Sequence, residues 1–292
     1  MFEGLYTALI TPFNKTQIDA EAFCRLIEFQ ISSGVDGLVV CGTTGESAVM
    51  TADEYERMID LCVKTVDGRV KVIAGTGGNN TQKVVENTQK AQAAGVDAAL
   101  IVTPYYNKPT QQGLLDHYQA VHDASSLPII LYNVPGRTGV NLETETIAKL
   151  AELPRIAGIK DAVSDLMRPL KIRSSVRKKD FSVLSGEDAT IVAFLAHGGD
   201  GCISVTANVA PALCAGLHRA WREKNWEEVE RLRDLLWPLH EAMFVETNPS
   251  PVKYAASLLG YGDGSVRLPL CEVGERSREI IQTVLRRVGI AG

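Results

Sequence analysis

The chain has 292 residues, 45% of them hydrophobic and 22% charged. That is enough apolar material for one large core or two ordinary domains, which excludes disorder as its main character. Thirty Lys and Arg against thirty-five Asp and Glu leave a formal charge of −5, too weak and of the wrong sign for broad binding to a nucleic-acid backbone.

Six cysteines are scattered without a C-x-x-C pair, and no basic segment followed by a long apolar run opens the chain. These features predict a cytoplasmic protein with reduced thiols. No stretch approaches the roughly eighteen apolar residues that cross a bilayer, so no membrane partner is expected. The five histidines lack the H-x-x-x-H and H-E-x-x-H spacings, so no metal site is expected either.

In chain order the predicted elements alternate. Residues 7–10 read as a strand and 22–32 as a helix. Strands at 37–40, 70–74, 98–102 and 128–132 are each followed by a helical pattern, at 53–66, 82–94, 113–124 and 144–153. Strands at 156–160 and 181–184 come next, then a helix at 189–196, the eighth strand at 201–205 and a helix at 211–222. Thr51-Ala-Asp-Glu54 has the pattern of a capping box, and Gly34, Gly95 and Gly260 stand where helices should stop. Helical spacing continues over 226–244, 251–259 and 271–288 with no further strand.

Alternation of this kind demands a mainly parallel sheet, and eight units are the number that closes a (β/α)8 TIM barrel. The expected organisation is a catalytic barrel over 1–224 and a C-terminal helical region over 225–292. An open doubly wound sheet is the alternative, but the first strand lacks a G-x-G-x-x-G loop.

In a barrel the loops that follow the strands build the active site. Those segments are Cys41-Gly-Thr-Thr-Gly-Glu-Ser47, Gly75-Thr-Gly-Gly-Asn-Asn80, Thr103-Pro-Tyr-Tyr-Asn107, Tyr132-Asn-Val-Pro-Gly-Arg-Thr-Gly139, Lys160-Asp161 and Ser185-Gly-Glu-Asp188. Lys160 ends an otherwise apolar strand. A lysine amine attacks a ketone only when deprotonated, and partial burial favours that form; a lysine snorkelling from the mouth or pairing with a carboxylate is the plainer alternative. Tyr132 can pass protons there or simply pack. Thr43 and Thr44 lie between Gly42 and Gly45, where a turn can offer donors to a small carboxylate or cap itself. Arg137 suits bidentate carboxylate recognition or points to solvent. Gly75–Asn80 can cradle a phosphate or connect strand to helix tightly. Asp161 should point to the opposite side of its strand from Lys160, and so is not assigned as a base.

These segments, with Gly158-Ile-Lys160, Gly201-Cys-Ile-Ser-Val-Thr-Ala-Asn208 and Asn248-Pro-Ser-Pro-Val-Lys253, resemble the dihydrodipicolinate synthase (4-hydroxy-tetrahydrodipicolinate synthase) group of the pyruvate-dependent class I aldolases over nearly the whole chain. The resemblance implies a lysine Schiff base at Lys160, with Tyr132, Thr43 and Tyr106 as a proton relay and Tyr106 reaching into an adjacent subunit's site. It implies Thr44 on the pyruvate carboxylate, Gly186 and Ile203 lining the pyruvate pocket, and Arg137 on the second substrate, L-aspartate 4-semialdehyde. It further implies no cofactor and a homotetramer built as a dimer of dimers. A sialic acid lyase, a keto-deoxy sugar acid aldolase and a non-catalytic keto-acid sensor are the competing readings; Arg137 with the Thr43-Thr44 pair favours the short semialdehyde acid.

Lysine-inhibited members of the group bind lysine at positions matching Ser47, Ala48, Asn79 and Tyr105. Here Ala52 and Tyr55 stand where those members commonly carry histidines, and Lys83 stands where they carry a glutamate. A cation in place of an anionic partner should repel the effector, so weak or absent lysine feedback is expected.

Overall fold

The structure, a computed structural model, describes residues 1–290. Its strands are β1 (Gly4–Ala8), β2 (Phe13–Asn14), β3 (Gln17–Ile18), β4 (Gly37–Val40), β5 (Lys71–Gly75), β6 (Ala98–Val102), β7 (Ile129–Asn133), β8 (Ile156–Asp161), β9 (Ser182–Ser185) and β10 (Gly201–Ser204). The eight longer strands close a parallel barrel in the order β1-β10-β9-β8-β7-β6-β5-β4, the (β/α)8 architecture, while β2 and β3 form a separate antiparallel hairpin. Parallel strands buried on both faces read as near-continuous apolar runs, as Ala98–Val102 and the first four residues of Ile129–Asn133 do.

The chain divides into two compact units. The first comprises Met1–Glu3 with Val72–Ile203; the second comprises Gly4–Lys71 with the chain from Ser204 onward. In the first unit β6, β7, β8 and β9 pair in sequence, bringing Tyr132 opposite Lys160 and Asn133 opposite Asp161. Its core is built from Ile73, Ile101, Ile129, Leu131, Ile159 and Val183, all buried. Helices Thr81–Ala94, Gln111–Ala124 and Thr144–Ala151 carry their apolar stripes inward. The first two start at Asn80 and Thr110, whose side chains accept the backbone N–H of Lys83 and Gly113.

In the second unit β1 pairs with β4, and Phe13, Phe23, Leu26 and Leu38 are fully buried. Helix Ala52–Val66 opens with the expected capping box: Glu54 N–H donates to Thr51 Oγ1 and Thr51 N–H to Glu54 Oε2. Helix Glu275–Arg287 packs against both Trp226–Ala242 and Ser250–Ser257, and Leu236, Leu239, Val252, Ile281 and Leu285 of the three are buried. Gly34, Gly95 and Gly260 take φ values of 84°, 86° and 85°, the left-handed conformation that ends helices cheaply only at glycine. Among the described residues no helix is long and apolar enough to cross a membrane.

Candidate active site

Lys160 lies one residue before the end of β8, and its side chain is buried, with 6% of the residue exposed. It stands in register with Tyr132 of β7 on one side and Leu184 of β9 on the other. Its Nζ sits 4.5 Å from the centre of the Tyr132 ring. Gly186, just past β9, gives the lysine its space: a Cβ there would lie 3.0 Å from Lys160 Cε and 2.7 Å from Ala162 Cβ. Within the first unit the structure therefore brings Lys160, Tyr132 and Gly186 together. Ile203 of β10 is buried.

Strand alternation sends the next side chain the other way, and Asp161 meets different partners. Its carboxylate accepts from Arg168 Nε at 2.9 Å and from Asn133 Nδ2 at 3.3 Å. Burial pushes the Asp161 carboxyl up, and the Arg168 guanidinium opposes that. Asn133 also donates to Asn141 Oδ1 and accepts from Leu142 N–H, whose carbonyl accepts from Arg168 Nη2. A fully bonded polar network thus backs the ends of β7 and β8, immediately beside Tyr132 and Lys160.

The carboxyl of Glu187, in the loop after β9, feels the Lys160 charge. Burial and the neighbouring Asp188 push it up, while the Lys160 charge pulls it down. The sequence assigns Glu187 no part; it comes near Lys160 because β8 and β9 pair side by side, and that pairing leaves no local signature.

Arg137 sits exposed on a single helical turn, Pro135–Thr138, that follows β7. The turn is tied down by Thr138, whose hydroxyl lies 3.3 Å from both the Val134 carbonyl and Thr103 Oγ1. It ends at Gly139 with φ 67°. Tyr106 is 89% exposed, with φ 67°, on the loop after β6. Tyr105 beside it is partly exposed, and the Asn79 carbonyl accepts from Asn107 Nδ2. The Gly75–Asn80 segment serves as a close strand-to-helix connection: Asn80 caps the next helix, and a Cβ on Gly77 would lie 2.4 Å from the Val102 nitrogen.

The second unit holds the Thr43-Thr44 turn. Thr43 is exposed, whereas Thr44 is buried and its Oγ1 accepts from Asn248 Nδ2 at 3.0 Å. The Gly45 carbonyl accepts from Thr11 Oγ1 at 2.7 Å. Glu46, at φ 56°, is fully buried and meets Lys253 Nζ at 2.5 Å and the Arg267 N–H at 3.0 Å. Lys253 is 1% exposed, with its ammonium 3.6 Å from the Phe13 ring centre; burial pushes it down to about 8, against the pull of Glu46. Arg267 in turn forks onto Glu54, whose carboxyl it holds down at about 2. The sequence signal for Asn248 and Lys253 is the Asn248-Pro-Ser-Pro-Val-Lys253 segment, which says nothing of its partners some 200 residues away.

Of the remaining positions, Ser47 donates to the Gly42 carbonyl at 3.3 Å and Ala48 is exposed. Tyr55 is buried, with burial raising its phenol, and Lys83 is an exposed cation 3.3 Å from Glu86.

A buried lysine beside a tyrosine at the end of a barrel strand marks the protein as a class I aldolase-type barrel enzyme, a lyase. Comparisons with known proteins agree with that class. The model of the dihydrodipicolinate synthetase family matches residues 1–288. The chain is 54% identical to the 4-hydroxy-tetrahydrodipicolinate synthase of Rhodospirillum centenum, over 99% of each chain. The crystal structure of dihydrodipicolinate synthase from Thermotoga maritima superposes with a TM-score of 0.97 at 42% identity, covering 99% of each chain. The chloride-inhibited enzyme of Acinetobacter baumannii, complexed with pyruvate, superposes at 0.96 with 40% identity, over 99% of this chain and 100% of that one. The chain belongs to the dihydrodipicolinate synthetase family.

Proposed function

We propose that this chain condenses pyruvate with L-aspartate 4-semialdehyde to give 4-hydroxy-tetrahydrodipicolinate, the first committed step toward diaminopimelate and lysine. The observation that carries the reading is the Lys160 amine, buried at the end of β8, over the Tyr132 ring and in the space that Gly186 leaves open.

In this mechanism the neutral Lys160 amine adds to the pyruvate ketone, and loss of water from the carbinolamine leaves an imine. The imine draws electrons from the methyl carbon, a proton leaves, and the resulting enamine carbon attacks the semialdehyde's aldehyde. The aldehyde oxygen takes a proton and becomes the product hydroxyl. The substrate's own amine then attacks the imine carbon, expelling Lys160 and closing the ring, so one water is released per turnover. Tyr132, Thr43 and Tyr106 move the protons. Thr44 holds the pyruvate carboxylate, Gly186 and Ile203 line the pyruvate pocket, and Arg137 takes the carboxylate of the second substrate. The lysine supplies the electron sink, so the reading needs neither metal nor organic cofactor.

We place the enzyme in the cytoplasm as a homotetramer, a dimer of dimers in which Tyr106 enters a neighbour's site. The 89% exposure of this aromatic side chain supports that placement. The test of substrate class is initial-rate comparison of three reactions: condensation with aspartate semialdehyde, and cleavage of N-acetylneuraminate and of keto-deoxy-gluconate. The semialdehyde reaction is expected to lead by at least about 100-fold in kcat/KM; a sugar acid turned over equally well contradicts the assignment.

A further inference from the structure

We propose that Asn248 is a positioning residue that sets the polarity of the Thr44 hydroxyl, making it a committed hydrogen-bond donor toward the pyruvate carboxylate. The proposal rests on the reading of Thr44 as that carboxylate's partner. A threonine hydroxyl has one hydrogen to give and two lone pairs to receive with. Thr44 Oγ1 receives the Asn248 amide N–H at 3.0 Å, and both residues are buried. With its acceptor side occupied by the amide, the hydroxyl keeps its single hydrogen for another group. An anionic oxygen is the group that needs it. Were a carboxylate or a carbonyl oxygen to stand in place of the amide nitrogen, the Thr44 hydrogen would turn toward that oxygen and the donor would be lost.

The polarity is useful only if the turn is held still, and successive residues of the turn are tied. Thr44 is bonded by Asn248, the Gly45 carbonyl by the Thr11 hydroxyl, and the Glu46 carboxylate by Lys253 Nζ and the Arg267 N–H. Lys253 lies in the helix Ser250–Ser257 and Asn248 two residues before it. One end of one helix therefore grips residues 44 and 46 together. Glu46 adopts a left-handed backbone at φ 56°, a conformation a glutamate takes only when its surroundings hold it there. The C-terminal helical segment is thereby part of the substrate-binding apparatus.

The test is the pyruvate KM of Asn248→Asp and Asn248→Ala, each in the native enzyme and in Thr44→Val, alongside the melting temperature and the semialdehyde KM. Asn248→Asp keeps the shape but replaces the donor by an acceptor. It should raise the pyruvate KM about 10-fold to 100-fold, the range for losing a hydrogen bond to a charged group, while the semialdehyde KM stays within about twofold. Asn248→Ala should raise it less, because the hydroxyl is freed rather than reversed. In Thr44→Val there is no hydroxyl to orient, and neither substitution should raise the pyruvate KM further. Equal effects of Asn248→Asp with and without the Thr44 hydroxyl would overturn the proposal, as would an unchanged pyruvate KM in a folded Asn248→Asp enzyme. An unchanged pyruvate KM in Thr44→Val alone would instead remove the underlying assignment of Thr44, and the proposal with it.

Discussion

Tyr132 and Lys160 are register partners across β7 and β8, and the lysine's amine lies 4.5 Å from the centre of the tyrosine's ring. The pairing is a backbone fact before it is a chemical one, because hydrogen bonding of adjacent parallel strands fixes both side chains at one level. Tyr132→Phe keeps the ring against Lys160 and removes only the hydroxyl. We expect kcat to fall about 100-fold to 10,000-fold, the span for loss of a proton-transfer group, with little change in melting temperature. Steady-state kinetics and a thermal melt check this; a kcat within threefold of the native value takes Tyr132 out of the relay.

Behind that pair, Asp161 and Arg168 are joined by a buried ion pair at 2.8 Å. Asp161→Ala strands a buried guanidinium that still donates to the Leu142 carbonyl but has lost its counter-charge. Loss of one member of a buried pair costs about 3–5 kcal/mol. The double variant Asp161→Ala, Arg168→Met should be milder, since no buried charge is left alone. Urea unfolding midpoints of the three proteins test this, and an Asp161→Ala cost below about 1 kcal/mol speaks against the network.

Apolar runs reveal the strands well, because a parallel barrel strand is buried on both faces and its sequence says so. Seven of the eight strands lie within one residue of their expected bounds at each end, and the first departs at both ends, where a continuous apolar run has no edge. Residues 4–10 show this best: the strand spans Gly4–Ala8 rather than 7–10, and Leu9 N–H still reaches the Val39 carbonyl. The helix Arg168–Ser175 carries no comparable signal. Its segment is polar, with Pro169 near its start, and it is anchored by the Arg168 contact with Asp161 instead of by an apolar stripe. The two-residue arms of the β2–β3 hairpin are too short to show a period. In the site, Lys160 and Tyr132 stand out through position on the strands, and Arg137 through the loop that follows one. The contacts Asn248 to Thr44 and Lys253 to Glu46 cannot be read from the sequence, because tertiary packing alone brings such distant residues together.

Acid sensitivity should have a component from His117. Burial pushes its imidazole down to about 4 from 6.5, and its Nδ1 is bonded to the Thr81 hydroxyl at 2.9 Å. Between those values the unfolded chain binds a proton that the folded chain refuses. The contribution is therefore complete above pH 6.5 and is lost as pH falls toward 4, up to about 3 kcal/mol in all. Glu54 titrates lower, losing its share between 4.5 and about 2. His117→Asn should flatten the stability profile from pH 6.5 to 4, measured by urea unfolding at a series of pH values. An unchanged slope in that window contradicts the assignment.

Lysine feedback should be weak or absent. Lys83 presents an exposed ammonium 52% accessible at its side chain, and an effector with a cationic side chain gains nothing beside it. Initial rates across an L-lysine titration check this, and half-inhibition at a sub-millimolar concentration refutes it. Lys83→Glu should strengthen whatever inhibition is present.

The enzyme's dependence on one amine is tested most directly by reducing the protein with borohydride in the presence of pyruvate, then mapping the modified peptide by mass spectrometry. The account predicts one reduced pyruvate imine per chain, located on Lys160 and missing from Lys160→Ala. An adduct on another lysine, or no adduct from an enzyme that still turns over pyruvate, would contradict it.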